Sequence, residues 1–193
     1  MTRLTRAFFR RDALTLAPAL LGCVITATSP EGKVSARIIE TEAYMGLDDP
    51  AAHTVTGKPT PRTAIVFGDA GYAYTYLIYG MHWCLNIVAN APGIPHCVLI
   101  RALEPLSGTR LMTRRRHTDA PAAWCSGPGK LCAALGITGA QNGADLLAPP
   151  LKLTFGPPPT SVAAVPRVGI GSGPEAAWPW RFYDADSRFI SRR

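Results

Sequence analysis

The sequence predicts an α+β fold: a single domain, spanning residues 1–193, built on a curved, largely antiparallel β-sheet with flanking helices. Strand-like segments outnumber helical ones, and they are joined mainly by hairpins. The chain is 193 residues long, without internal repeat or flexible linker, which suits one domain with a substantial core.

Each element follows from local pattern. "FFRRDALTLAPALLGC" reads as a short helical segment ended by Gly22, and "CVITATSPEGKVSARIIETEAY" as two strands joined at "SPEG". "MGLDDPAAHTVTGKPTPRTA" is a loop too long to serve as a mere connector. In "YAYTYLIYGMHWCLNI", Tyr72, Tyr74, Tyr76 and Ile78 alternate along one strand. Tyr79 falls just before Gly80, and Met81, Trp83, Leu85 and Ile87 then alternate with His82, Cys84 and Asn86. That is a hairpin with an aromatic residue at its tip. "CVLIRALEP" is a strand with Cys97, Leu99 and Arg101 on one face. Residues 107–117 read as a basic helix, and "CSGPGKLCAALGI" as a loop feeding a helix capped near Ser126 or Gly127 and ended by Gly136. Beyond the prolines at 157–159, "PRVGIG" and "WRFYD" read as short strands, as does "LKLTF" before them.

Lys and Arg total 20 against 13 for Asp and Glu, giving a net charge of +7. A polyanionic partner fits this balance. The arginines cluster at Arg3, Arg6, Arg10 and Arg11, in "RLMTRRRH", and at Arg188, Arg192 and Arg193, although such runs are commonly solvated faces. Cys23, Cys84, Cys97, Cys125 and Cys132 are odd in number and never spaced C-x-x-C, which argues for reduced thiols and against a disulfide frame or a zinc site. No stretch is long enough to span a bilayer. The paired arginines and apolar run near the N-terminus resemble an export signal, but Asp12 and Pro18 interrupt the run and the segment continues as structure. A cytoplasmic location is expected.

The chemistry-bearing candidates begin in "VSARIIETEAY". Strict alternation puts Val34, Ala36, Ile38, Glu40, Glu42 and Tyr44 on one face, an apolar strand ending in two carboxylates and a ring. A strand running out into solvent would look the same. Glu42 could instead serve as a general base in dry surroundings with a cation holding it ionised, and Arg101, midway along an apolar strand, is the candidate cation. His53, Tyr76 and Asn86 each have an ordinary reading alone. Together with Glu42 they suggest a site.

In this order, "RIIETEAYMG", "DDPAAHT", "TPR", "YTYLIYGMHWCLNIV", "VLIRALEPL", "CSGPGKLCAALGI", "RVGIG" and "RFY" resemble the alkyladenine (3-methyladenine) DNA glycosylases of the mammalian type. The likeness runs from about Phe8 to the last residues and includes the opening helix. It implies a catalytic carboxylate at Glu42, with Arg101 helping to hold the attacking water. It implies that Tyr44 and Tyr76 stack on an extruded base, with His53 completing the pocket. Asn86 matches the residue that disfavours normal guanine, and Tyr79 the side chain that fills the vacated space in the duplex. A monofunctional enzyme is expected, acting on double-stranded DNA containing damaged purines, as a monomer, without metal or organic cofactor and away from membranes. His82, Thr63, Ala64 and the loop "NAPGIPH" depart from the family's usual pattern, so damage preference is less defined than reaction type.

Two rivals remain open at this level. "GPGK" faintly resembles the hairpin of helix-hairpin-helix glycosylases, which would need a catalytic acid such as Asp145. A non-catalytic nucleic-acid-binding module would explain the basic charge without needing Glu42 beside Tyr44.

Overall fold

The structure, a computed structural model, describes residues 3–192, so Arg193 lies outside the described residues. Two short helices, α1 (Arg6–Phe9) and α2 (Ala13–Ala19), precede the hairpin of β1 (Val24–Ser29) and β2 (Gly32–Tyr44). The expected single opening helix is thus split at Arg10–Asp12, where Asp12 caps α2 by accepting the Thr15 N–H at 2.9 Å. The aromatic hairpin is β3 (Ala73–Ile78) and β4 (His82–Ala89), followed by β5 (His96–Ser107). The helices α3 (Thr109–Arg116), α4 (Pro121–Trp124) and α5 (Pro128–Leu135) come next, then β6 (Leu151–Thr154), β7 (Val162–Val165) and β8 (Arg181–Asp184).

Among the described residues all eight strands belong to one open sheet in which every strand pairing is antiparallel. The order is β3-β4-β5-β2-β1-β6, with β8 bridging β2 and β7. The helices pack on one face, where Leu16, Met112, Trp124 and Leu131 join Ile25, Ile38, Leu85, Ile87, Val98 and Ile100 in the main core. Tyr74, Val88, Val66 and Cys97 form a smaller cluster on the other face, backed by Tyr44 and Tyr76.

The alternation expected along β2 does not persist. Val34, Ala36 and Ile38 face the main core, but beyond Ile38 the core-facing residue is Ala43, and Thr41 donates its hydroxyl to the Ala17 carbonyl of α2 at 2.9 Å. Glu40, Glu42 and Tyr44 therefore lie on the opposite face from the apolar run. The β2–β5 ladder steps from Ile38↔Leu103 to Glu40↔Ala102 to Thr41↔Ile100, so Ile39 and Arg101 fall between rungs and both strands slip together. The free edge of β2 changes partner at the same place, from β1 (last rung Val24↔Arg37) to β8 (first rung Glu40↔Tyr183). Irregular pairing of this kind re-aims side chains.

A second expectation fails at "PRVGIG", where the strand is instead the preceding Val162–Val165. Pro166 has no N–H to donate, Gly169 sits at φ +74°, and the Val168 N–H turns away to a carboxylate rather than to a ladder partner. Among the described residues no helix is long and apolar enough to cross a membrane.

Candidate active site

On the face opposite the helices lies a cavity of about 600 Å³. Glu42, Tyr44, His53, Tyr76, Tyr79, Asn86 and Arg101 all line it, supplied by β2, the loop after it, the aromatic hairpin and β5. The hairpin and β5 need no irregularity to do this. Regular alternation sends Tyr74, Tyr76 and Ile78 from β3, His82, Cys84 and Asn86 from β4, and Cys97, Leu99 and Arg101 from β5 into the cavity, while Leu85, Ile87, Val98 and Ile100 go to the core. The slip in β2 is what brings Glu42 and Tyr44 to join them.

Glu42 is fully covered, at 0% exposure. Its Oε1 accepts the Val168 N–H at 2.7 Å and faces Arg101 Nη1 at 3.2 Å, while Oε2 accepts the Tyr44 hydroxyl at 3.0 Å. Arg101 Nη1 makes an ion-pair contact, so each carboxylate oxygen accepts one hydrogen bond and retains acceptor capacity. Burial pushes the carboxyl above the usual carboxylate range. Arg101 pulls hardest the other way, followed by the Val168 amide and the Tyr44 hydroxyl, and nearby Glu40 adds to the upward push.

Arg101 is shared. Its Nε donates to Glu40 Oε1 at 3.0 Å and its Nη2 to Ser191 Oγ at 3.2 Å. Glu40 also takes Arg181 Nη1 at 3.0 Å and the Ser191 N–H at 2.6 Å. The two buried carboxylates and two arginines thus form one network in which each charge has a partner, which is the condition for keeping them ionised away from water.

The aromatic wall is braced from behind. His53 meets the Tyr76 ring edge-on at 4.7 Å between centroids, and its Nδ1 lies 3.1 Å from the Tyr74 hydroxyl. Burial, then the charge of Arg62, lowers the His53 imidazole to about 4, so the ring is neutral at pH 7. Arg62 is exposed; it lies over the Tyr76 ring at 4.7 Å and places Nη2 2.8 Å from His53 Nε2. Arg167 lies 4.7 Å over the Tyr44 ring and is held by Asp49 through contacts of 2.5 and 2.8 Å, both side chains being 0% exposed. Asn86 donates Nδ2–H to the Tyr74 carbonyl at 3.2 Å, which fixes its amide at the cavity wall.

Tyr79 stands apart, 83% exposed at the hairpin tip. Tyr79 and Gly80 both have left-handed backbone, φ +54° and +68°, and the Met81 N–H closes the turn on the Ile78 carbonyl at 3.2 Å. Two successive positive φ values give the turn a twist that suits a hairpin.

Sequence reasoning missed the Arg167–Asp49 brace, the Arg181–Ser191 side of the network, the Val168 amide and Arg62. Arg167 and Arg62 do stand within the quoted segments "RVGIG" and "TPR", but Asp49 lies 118 residues from Arg167, and the loop joining His53 to Arg62 has no period that sets side-chain direction. Of the departing residues, His82 lines the cavity next to Gly129, and Thr63 is buried, hydrogen-bonded to Thr60 within its own loop at 2.9 Å between hydroxyls. Asp145, the acid the helix-hairpin-helix reading requires, is outside the cavity lining and paired with Arg6 at 2.8 Å. "GPGK" supplies Pro128 and Gly129 to the rim. Among the described residues no three His, Cys, Asp or Glu side chains cluster as a metal site.

The family model of the methylpurine-DNA glycosylases matches residues 7–188. A protein of Bacillus subtilis (strain 168) is 44% identical over 186 residues, covering 96% of this chain and 94% of its own length. One from Methanocella arvoryzae is 45% identical, covering 100% of this chain and 98% of its own, and one from Rhodopseudomonas palustris (strain CGA009) is 47% identical, covering 98% and 88%. All three carry the provisional name 3-methyladenine DNA glycosylase. This likeness sets aside both the helix-hairpin-helix reading and that of a non-catalytic binding module. The chain belongs to the methylpurine-DNA glycosylase family and is a DNA glycosylase.

Proposed function

We propose that the enzyme rotates alkylated or deaminated purines of the 3-methyladenine, 7-methylguanine and hypoxanthine class out of duplex DNA and hydrolyses the N-glycosidic bond with a water activated by Glu42. The observation that carries this reading is the meeting of one buried, arginine-supported carboxylate with a neutral aromatic cage around a single cavity. A glycosidic carbon is out of reach inside stacked DNA, so the base must leave the helix at a cost of a few kcal/mol, least for damaged or weakly paired bases. Tyr79, exposed on a rigid turn, fills the gap. Purines alkylated at N3 or N7 are cationic, and the faces of Tyr44 and Tyr76 attract them beyond ordinary stacking. Asn86 crowds the exocyclic amino group of normal guanine.

In the reaction, water forms a bond to the sugar carbon as the bond to the base breaks, and the bonding electron pair leaves with the base. A cationic base departs neutral. The proton of the water passes to Glu42, whose negative charge also stabilises the oxocarbenium-like sugar. The carboxylate keeps acceptor capacity for the water, and since Glu42 is fully covered, a covering group such as Tyr44 must give way to admit it. The enzyme leaves an abasic site. It works as a monomer on DNA inside the cell, without a metal or organic cofactor.

Single turnover on a duplex carrying one hypoxanthine tests this directly. Glu42→Gln is expected to bind the duplex normally and to lose about 10²- to 10⁴-fold in base release, the usual contribution of a general base. Release at the wild-type rate by that variant would overturn the assignment.

A further inference from the structure

The charged side chains that line the cavity do not balance, and the residue responsible has no part in the mechanism above. Glu40 and Glu42 are offset by Arg101 and Arg181. Asp49 is offset by Arg167. His53 is neutral, and Arg62 is exposed and lies over the Tyr76 ring outside the lining, so among the charged side chains that line the cavity Glu42 and Glu175 face the single cation Arg101. That leaves Glu175, which lines the same cavity and whose carboxylate has no ion-pair or hydrogen-bond partner among the described residues. A chain with net charge +7 that works on a polyanion gains nothing for backbone binding from an unpaired carboxylate at its site.

The carboxylate also lies close against its own segment. It folds back over Gly173, where a Cβ on that glycine would lie 2.3 Å from Oε2 and 2.5 Å from Oε1. Any side chain at position 173 would push it away. The neighbouring Val168, Gly169, Ile170 and Gly171 line the cavity too, so the segment that covers Glu42 also carries this charge.

We propose that Glu175 is a specificity-determining residue that selects positively charged purines over neutral ones by supplying an unbalanced negative charge to the base cavity. This rests on the glycosylase reading above. The aromatic cage favours a cation through its ring faces, whereas Glu175 adds direct Coulomb attraction, which weakens with salt and vanishes for a neutral base.

The test compares 7-methylguanine, a cation, with hypoxanthine, which is neutral, each placed singly in the same duplex. In Glu175→Gln, kcat/KM for 7-methylguanine is expected to fall about five- to tenfold relative to hypoxanthine, the size expected of one partly screened charge. Gly173→Ala keeps the carboxylate but displaces it, and is expected to shift the ratio in the same direction. Equal losses on both bases would make Glu175 a support of the covering segment and overturn the inference, as would an unchanged ratio. Release of neither base by the wild-type enzyme would instead bring down the glycosylase reading itself.

Discussion

As the proposed general base, Glu42 has to be buried and ionised at once, and its neighbours divide that task. Burial raises its pKa while Arg101, the Val168 amide and the Tyr44 hydroxyl oppose the rise. A general base works only when deprotonated, so activity should be lost as pH falls through this raised value, above the range of an ordinary carboxylate. Tyr44→Phe keeps the ring but removes a hydrogen bond that favours the charged form. Its acid limb should therefore move to higher pH, whereas an unmoved limb would mean that the hydroxyl does not act on Glu42. The pair behind Tyr44 is a matter of stability. Arg167→Met strands Asp49 as a buried, uncompensated charge and should cost about 3–5 kcal/mol in denaturant unfolding. Replacing Asp49 by Leu in the same chain should restore a good part of that loss. Neither Asp49 nor Arg167 could be assigned a role from sequence, because 118 residues separate them and neither sits in a pattern that announces a partner.

At the scale of elements, the aromatic hairpin was fully legible and β2 was not. From Tyr72 to Ile87 the two strands alternate without interruption, so side-chain direction follows from parity alone. In β2, no glycine or proline marks the slip at Ile39, and it coincides with a change of neighbour from β1 to β8, a strand some 140 residues later in the chain. Glu42 and Tyr44 could still be paired from sequence, because they keep the same face as each other whichever face that is. The tip of the hairpin carries its own prediction. A non-glycine residue at φ +54° is strained by roughly 1 kcal/mol. Tyr79→Gly should thus raise stability by about that much, since so exposed a ring contributes little packing, while reducing capture of the flipped state on damaged DNA. A stability gain with undiminished preference for damaged over intact duplex would remove the wedge role.

For the whole molecule, net charge and the placement of arginines have to be kept apart. Many of the clustered arginines are committed internally: Arg6 to Asp145, Arg10 to Asp69, and Arg114 and Arg115 to Glu31. Composition alone could not separate these from cations free to meet phosphate. Duplex affinity should fall linearly with the logarithm of salt concentration, with a slope set by the uncommitted cations. Arg10→Gln should change that slope by less than about one unit, because Asp69 already offsets its charge one-to-one. A full-unit change would mean that the pair opens on DNA. The fold as a whole was legible because hairpin turns and strand periods are local signals. The walls of the cavity were legible where they lie on regular strands, and obscure where loops such as residues 166–171 replace a ladder.

In the proposed reaction an ionised Glu42, sheltered by a neutral aromatic cage, activates the water that separates base from sugar. The most direct measurement is the single-turnover rate of hypoxanthine release as a function of pH, for wild type and Glu42→Gln side by side. The account predicts an acid limb in the wild type above the usual carboxylate range, and a residual, pH-independent rate in the variant. The same limb in both proteins would show that another group titrates, and Glu42 would lose its role.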